Sequence, residues 1–145
     1  CPVPELTRMG ITVALGTDGP ASNNNQSMVR EIQQLARLSR VTHFDPSVLS
    51  SREWVRMATI NGAKAYRMDQ EIGSLEINKK ADLQIINPDQ PHWYPRYDPY
   101  NSIAYAMHSE DVETVIIQGK IVMKDRELVT IDEQRLLKKM KKALH

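Results

Sequence analysis

The spacing of apolar residues divides the chain into two regimes. Ile11-Thr12-Val13-Ala14-Leu15-Gly16 is a short apolar run after a glycine, the pattern of a buried strand of the parallel type. Before it, Pro4 to Met9 reads as the last turns of a helix, with Gly10 as its stop. After it, Thr17-Asp18-Gly19-Pro20 opens a polar loop that runs through Asn25. From Met28 to Arg40 the period becomes helical, with Val29, Ile32, Leu35 and Ala36 on one face. Ser50 and Glu53 have capping-box spacing, and a second helix is expected from Ser51 to Tyr66, with Gly62 inside it. Helix end, strand, loop and helix form the order of a β/α repeat, so the fold class expected is α/β.

Near residue 70 the period changes to two. Ile72–Ile77 and Ala81–Asn87 alternate as strands, and Val112–Ile117, Gln118-Gly119 and Lys120–Lys124 carry a hairpin signal. Leu128-Val129 extends the strand set. Residues 88–99, rich in proline and aromatics, read as an ordered loop, followed by a short helix over Tyr100–Met107 with Ile103, Ala104 and Met107 inward. The tail is an amphipathic helix with Leu136, Leu137, Met140 and Leu144 on one face, and its basic end complements the helix dipole.

Composition narrows the function classes. Among 145 residues, 41% are hydrophobic and 26% charged, the balance of a soluble globular domain. A net charge of +1 favours neither nucleic acid nor an anionic membrane. No apolar run reaches the ~20 residues that span a bilayer. One cysteine, Cys1, excludes an internal disulfide and fits a reducing, cytoplasmic compartment. The chain also opens inside a helix with no initiator methionine, which suggests that the rest of its domain lies upstream.

Chemistry concentrates at Asp18. A carboxylate at the C-terminal end of a parallel strand stands where α/β folds place active sites, with Gly16 and Gly19 permitting close approach. Asp-Gly is also a common turn pair, and position alone leaves that reading open. His43, His92, His108 and His145 have no HxH or HExxH spacing, so no local zinc motif exists. His43 reads as a surface or capping residue; His92 sits in the aromatic loop and could line a pocket. The aromatics of residues 93–100 lack a basic stripe beside them, so a packed loop outweighs base stacking.

Val13-Ala14-Leu15-Gly16-Thr17-Asp18-Gly19, followed by Ala21-Ser22-Asn23-Asn24, resembles the eighth-strand motif of amidohydrolases. Ala58-Thr59-Ile60-Asn61-Gly62-Ala63-Lys64-Ala65 resembles the helix after their barrel. Ile72-Gly73-Ser74-Leu75-Glu76 with Lys79–Leu83, and Val115–Lys120, resemble their small β-domain. Within that family the motifs resemble those of the 5-methylthioadenosine/S-adenosylhomocysteine deaminases and the s-triazine chlorohydrolases. The resemblance implies the last unit of a (β/α)8 metal-dependent hydrolase barrel (1–70), part of a composite β-sandwich (71–131) and a C-terminal helix (132–145). It implies that Asp18 is both metal ligand and catalytic residue, on Zn2+ or Fe2+, with the other ligands outside this chain.

The implied activity is deamination of a small cyclic amidine, first an adenosine-type nucleoside. A triazine chlorohydrolase or guanine deaminase is the alternative within the class. Outside it stands a non-catalytic association module, with exposed Val13 and Leu15 favouring homo-oligomerisation or association with a missing N-terminal portion. One carboxylate cannot hold a catalytic zinc, and one strand cannot close a barrel. The chain alone is therefore expected to be inactive and to bind no metal tightly, as a fragment, a truncated reading frame, or one piece of a split enzyme.

Overall fold

Helices fill the first half of the chain and an antiparallel sheet the second. A computed structural model describes residues 1–143. Helix α1 is Val3–Arg8, and Gly10 ends it at φ 75°. Helix α2, Met28–His43, starts on the Ser27 hydroxyl, which accepts from the Arg30 N–H at 3.3 Å. It runs one turn past the expected end because His43 Nδ1 pairs with the Ser39 carbonyl at 2.8 Å, before Phe44 stops it in a left-handed conformation. Helix α3, Ser51–Met57, begins at the expected Ser50–Glu53 capping box.

Three expected elements differ. The helix expected from Ser51 to Tyr66 is two helices, α3 and α4 (Ile60–Ala65), broken at Ala58-Thr59. The cause is a diverted acceptor: the Met57 carbonyl takes the Leu15 N–H at 3.0 Å. Residues 11–16 are extended but form no strand, because none of the described strands lies beside them to make a ladder. Ile72–Ile77 is a run of bends and turns, since Gly73 bends at φ 90° against Ile60 and Ala63, and Ile77 stands in solvent.

Buried Val3, Ile32, Ala36, Leu49, Trp54, Met57 and Ala104 form the core. Val13 and Leu15 pack half-buried on that cluster, so the exposed face expected of them is not found; Ile11, Thr12 and Gly16 are the exposed residues of that run. The Arg40 guanidinium lies 5.0 Å from the Trp54 ring centre and 5.1 Å from that of Tyr105. Burial pushes the Tyr105 phenol above its ordinary pKa, against the opposing charge of Arg40.

The sheet has the order β1-β2-β3-β4, all antiparallel: β1 Leu83–Ile86, β2 Val112–Ile117, β3 Lys120–Lys124 and β4 Glu127–Leu128. Leu83 faces Ile116 and Met123 faces Leu128 in register. Both tight turns use paired left-handed residues, Gln118-Gly119 and Asp125-Arg126, as the right-handed strand twist requires. Between β1 and β2, a 3-10 turn at Pro91–Trp93 leads to α5, Pro99–Asn101, which continues as a π-helical turn over Ser102–Ala106. This places Ala104 and Met107 inward, as the sequence suggests. Gln33 Nε2 donates to the Met107 carbonyl at 2.9 Å and ties this segment to α2. Helix α6, Glu133–Ala143, leaves Leu136, Leu137 and Met140 exposed on its apolar face; Leu144 of that expected face lies outside the described residues.

Candidate active-site carboxylate and its loop

Asp18 ends the extended segment in a left-handed backbone conformation, φ 56°. Asp and Asn visit that region more readily than other non-glycine residues. Its side chain is exposed and its two oxygens are separately held. Oδ1 accepts from the Gly19 N–H at 2.7 Å, and Oδ2 accepts from Ser22 Oγ at 2.7 Å. The Asp18 carbonyl accepts from Gln26 Nε2 at 2.9 Å. The Ser22 hydroxyl first, and the Gly19 N–H second, hold the Asp18 carboxyl below its usual pKa range, against a smaller effect of desolvation. The group is therefore an anion at neutral pH, restrained in orientation, with lone pairs still free for a cation or a proton.

The asparagines beyond it staple the loop to α2. Asn23 Nδ2 donates to Glu31 Oε1 at 2.7 Å, and Asn25 Oδ1 accepts from the Ser27 N–H at 3.0 Å. On the other side, Asn61 Nδ2 of α4 donates to the Val13 carbonyl at 2.9 Å.

A second polar cluster sits where the aromatic loop meets the sheet. Buried Asp111 Oδ2 accepts from the His108 N–H and from Trp93 Nε1, and pairs with His92 Nε2, each at 2.8 Å. Desolvation opposes its ionisation, but the bonds from His92, His108 and Trp93 outweigh it and hold its carboxyl below the usual range. The His92 and His108 rings stack at 4.1 Å between centres. His92 thus anchors the aromatic loop to the sheet. His43 behaves as a capping residue, bridging α2 to Glu5 of α1 at 2.7 Å.

Among the described residues no hydrogen bond joins Asp18 to His43, His92 or His108. Among the described residues no group of three or more His, Cys, Asp or Glu lies close enough to hold a metal ion. Asp18 fits as one ligand of a metal site, and the described residues do not complete such a site. The roles of Ser22, Gln26, Asn61 and Asp111 are not legible from the sequence. Only Ser22 carries a signal there, a hydroxyl four residues after the carboxylate.

The amidohydrolase family model matches residues 1–122. The chain belongs to the amidohydrolase family. Within it, the chain is 47% identical to the 5-methylthioadenosine/S-adenosylhomocysteine deaminase of Thermoanaerobacter pseudethanolicus, over 97% of this chain and 33% of the relative. It is 43% identical to a like-named deaminase of Syntrophus aciditrophicus, over 97% of this chain and 32% of the relative. Among solved amidohydrolase-like structures, a zinc-bound adenosine deaminase from Xanthomonas campestris superposes with a TM-score of 0.94 at 32% identity, over 98% of this chain and 32% of that one. The zinc complex of an atrazine chlorohydrolase from Arthrobacter aurescens gives 0.81 at 27% identity, over 97% and 31%. The chain thus spans about a third of the length of these amidohydrolases. Among its described residues no helix is long and apolar enough to cross a membrane.

Proposed function

We propose that this chain supplies the aspartate arm of a metal-dependent amidohydrolase that deaminates a cyclic amidine, with a 5-methylthioadenosine- or S-adenosylhomocysteine-type nucleoside as first substrate. The observation that carries this reading is the restrained, ionised Asp18 at the end of the extended segment. The 47% identity to a deaminase of that name supports the substrate choice. Residues 1–70 correspond to the end of the barrel, 71–131 to part of the β-sandwich, and the remainder to a terminal segment whose described helix is Glu133–Ala143.

Zn2+, or Fe2+, is the cofactor this chemistry calls for; Asp18 would give it one carboxylate, and the remaining ligands would come from outside this chain. Such an ion, when bound, supplies Lewis-acid activation of water. Asp18 contributes a carboxylate that is ionised at neutral pH and so able to ligate a cation, and Gly19 and Ser22 hold its two oxygens in one orientation. Substrate selection rests on residues beyond this segment.

The test is turnover by a full-length enzyme carrying this segment: ammonia release from 5-methylthioadenosine, S-adenosylhomocysteine and guanine, and chloride release from a chloro-s-triazine. Asp18→Asn should lower turnover about 10²- to 10⁴-fold, the range of a lost acid–base group. Near-normal turnover would reject the catalytic role. Preference for the triazine would move the chain to the chlorohydrolase branch, whose zinc complex this chain also resembles at 27% identity.

The exposed Leu136, Leu137 and Met140 on α6, with Val129 and Ile131 before them, favour a second reading as an association surface, for another copy or for the remaining barrel. Sedimentation of the purified chain checks it: a monomer at all concentrations rules out self-association.

A further inference from the structure

Asp18 is held from its own loop, but the segment leading to it needs a separate support. In a parallel barrel or sheet a strand is fixed by ladders on both sides. Residues 11–16 form no such ladder with any described strand. One edge instead meets the break between α3 and α4. The Leu15 N–H donates to the Met57 carbonyl at 3.0 Å, and the Val13 carbonyl accepts from Asn61 Nδ2 at 2.9 Å. The two bonds have opposite polarity and fall two residues apart, so they grip one edge of the segment as a neighbouring strand would.

The break makes this possible. In an unbroken helix the Met57 carbonyl would be occupied by the Asn61 N–H, four residues on. The turn at Ala58-Thr59 frees that carbonyl and swings the Asn61 carboxamide toward Val13. Thr59 Oγ1 donates back to the Val55 carbonyl at 2.8 Å and so satisfies part of the broken turn. Gly73 closes on the other side of α4, against Ile60 and Ala63, at a place with no room for a side chain. A carboxamide suits this position because it donates without carrying charge into a half-buried contact.

We infer that Asn61 is a positioning residue for Asp18: through Val13 it fixes the segment that presents the carboxylate, together with the Leu15–Met57 bond. This rests on Asp18 being the working carboxylate. Asn61 touches no reacting atom. Its effect passes along the extended backbone, because a misplaced ligand arm costs rate even when the fold is intact.

Two variants of the chain separate this from a packing role. Asn61→Asp keeps the shape and removes the donor; Asn61→Ala removes both. Each should speed amide hydrogen exchange at Leu15 about tenfold, as expected for losing a single hydrogen bond, and displace the Asp18 and Gly19 amide resonances. Exchange in α2 should stay as in the parent chain. In the full-length enzyme both should lower kcat about tenfold or more with KM little changed. An Asn61→Asp chain that matches the parent at Leu15 and Asp18 would overturn the proposal in favour of space filling. Loss of α2 protection in both variants would overturn it in favour of a general folding role. If the resonances move while Asp18→Asn retains turnover, the bracket exists but the functional reading of Asp18 has failed.

Discussion

Ser22 Oγ donates to Asp18 Oδ2 at 2.7 Å, a contact between residues four apart that lies outside any helix. The spacing mimics a helical i,i+4 pair, yet the loop achieves it with Asp18 in a left-handed conformation and Gly19 closing from the other oxygen. Removing the hydroxyl tests how far this bond sets the charge state. In Ser22→Ala the Asp18 pKa should rise toward its ordinary value of about 3.9. A lowered folded pKa stabilises the fold above the ordinary value, and that stabilisation fades as pH falls through the folded value. The variant should therefore lag the parent chain near neutrality and converge with it in strong acid. Carbon NMR titration of the Asp18 carboxyl measures the shift directly.

A second pH effect belongs to Glu5 and His43. The hydrogen bond between them raises the His43 pKa first of all, helped by the Ser39 carbonyl, and the same bond lowers that of Glu5. The His43 contribution is complete below about pH 6.5 and is lost as pH rises through its raised folded value; that of Glu5 is present above about pH 4.5 and is lost as pH falls through its lowered one. The pair is thus strongest between those limits. Glu5→Gln should lower stability within this window and remove the pair's fall on either side of it, and proton NMR should show His43 titrating lower than in the parent chain.

Asp111→Ala strips one acceptor from three donors. The Trp93 indole, the His108 N–H and His92 all lose their partner at a buried site. The expected loss is about 3 kcal/mol in urea unfolding, with a shift in Trp93 fluorescence as the aromatic loop leaves the sheet.

Gly73→Ala adds a methyl where none fits. Its Cβ would stand 2.7 Å from the Ala63 Cβ and 3.0 Å from the Ile60 Cα, at φ +90°. Overpacking and left-handed strain together should cost about 2–4 kcal/mol, read as a lower urea midpoint.

Local chemistry was legible in the sequence, and distant chemistry was not. The Ser50–Glu53 cap, the Gln118-Gly119 turn and the inward Ala104 follow from patterns within a few residues, and the structure has them. The break in the helix after Met57 depends on a bond from Leu15, 42 residues earlier by number, and no local period encodes it. The turn-like form of Ile72–Ile77 likewise depends on Gly73 meeting α4. Asp18 stood out through the motif around it. Its support by Gln26 and Asn61 did not, because a carboxamide has no characteristic spacing to the carbonyl it serves.

The bonds on Asp18 come from residues one, four and eight positions downstream. Loops that short close at small entropic cost and within about 100 ns. The Val13–Asn61 bond spans 48 residues and must wait for the helices to dock. Orientation of the carboxylate and placement of its arm are thus separable events: after a local opening the first recovers at the speed of a loop, and the second only at the speed of the fold.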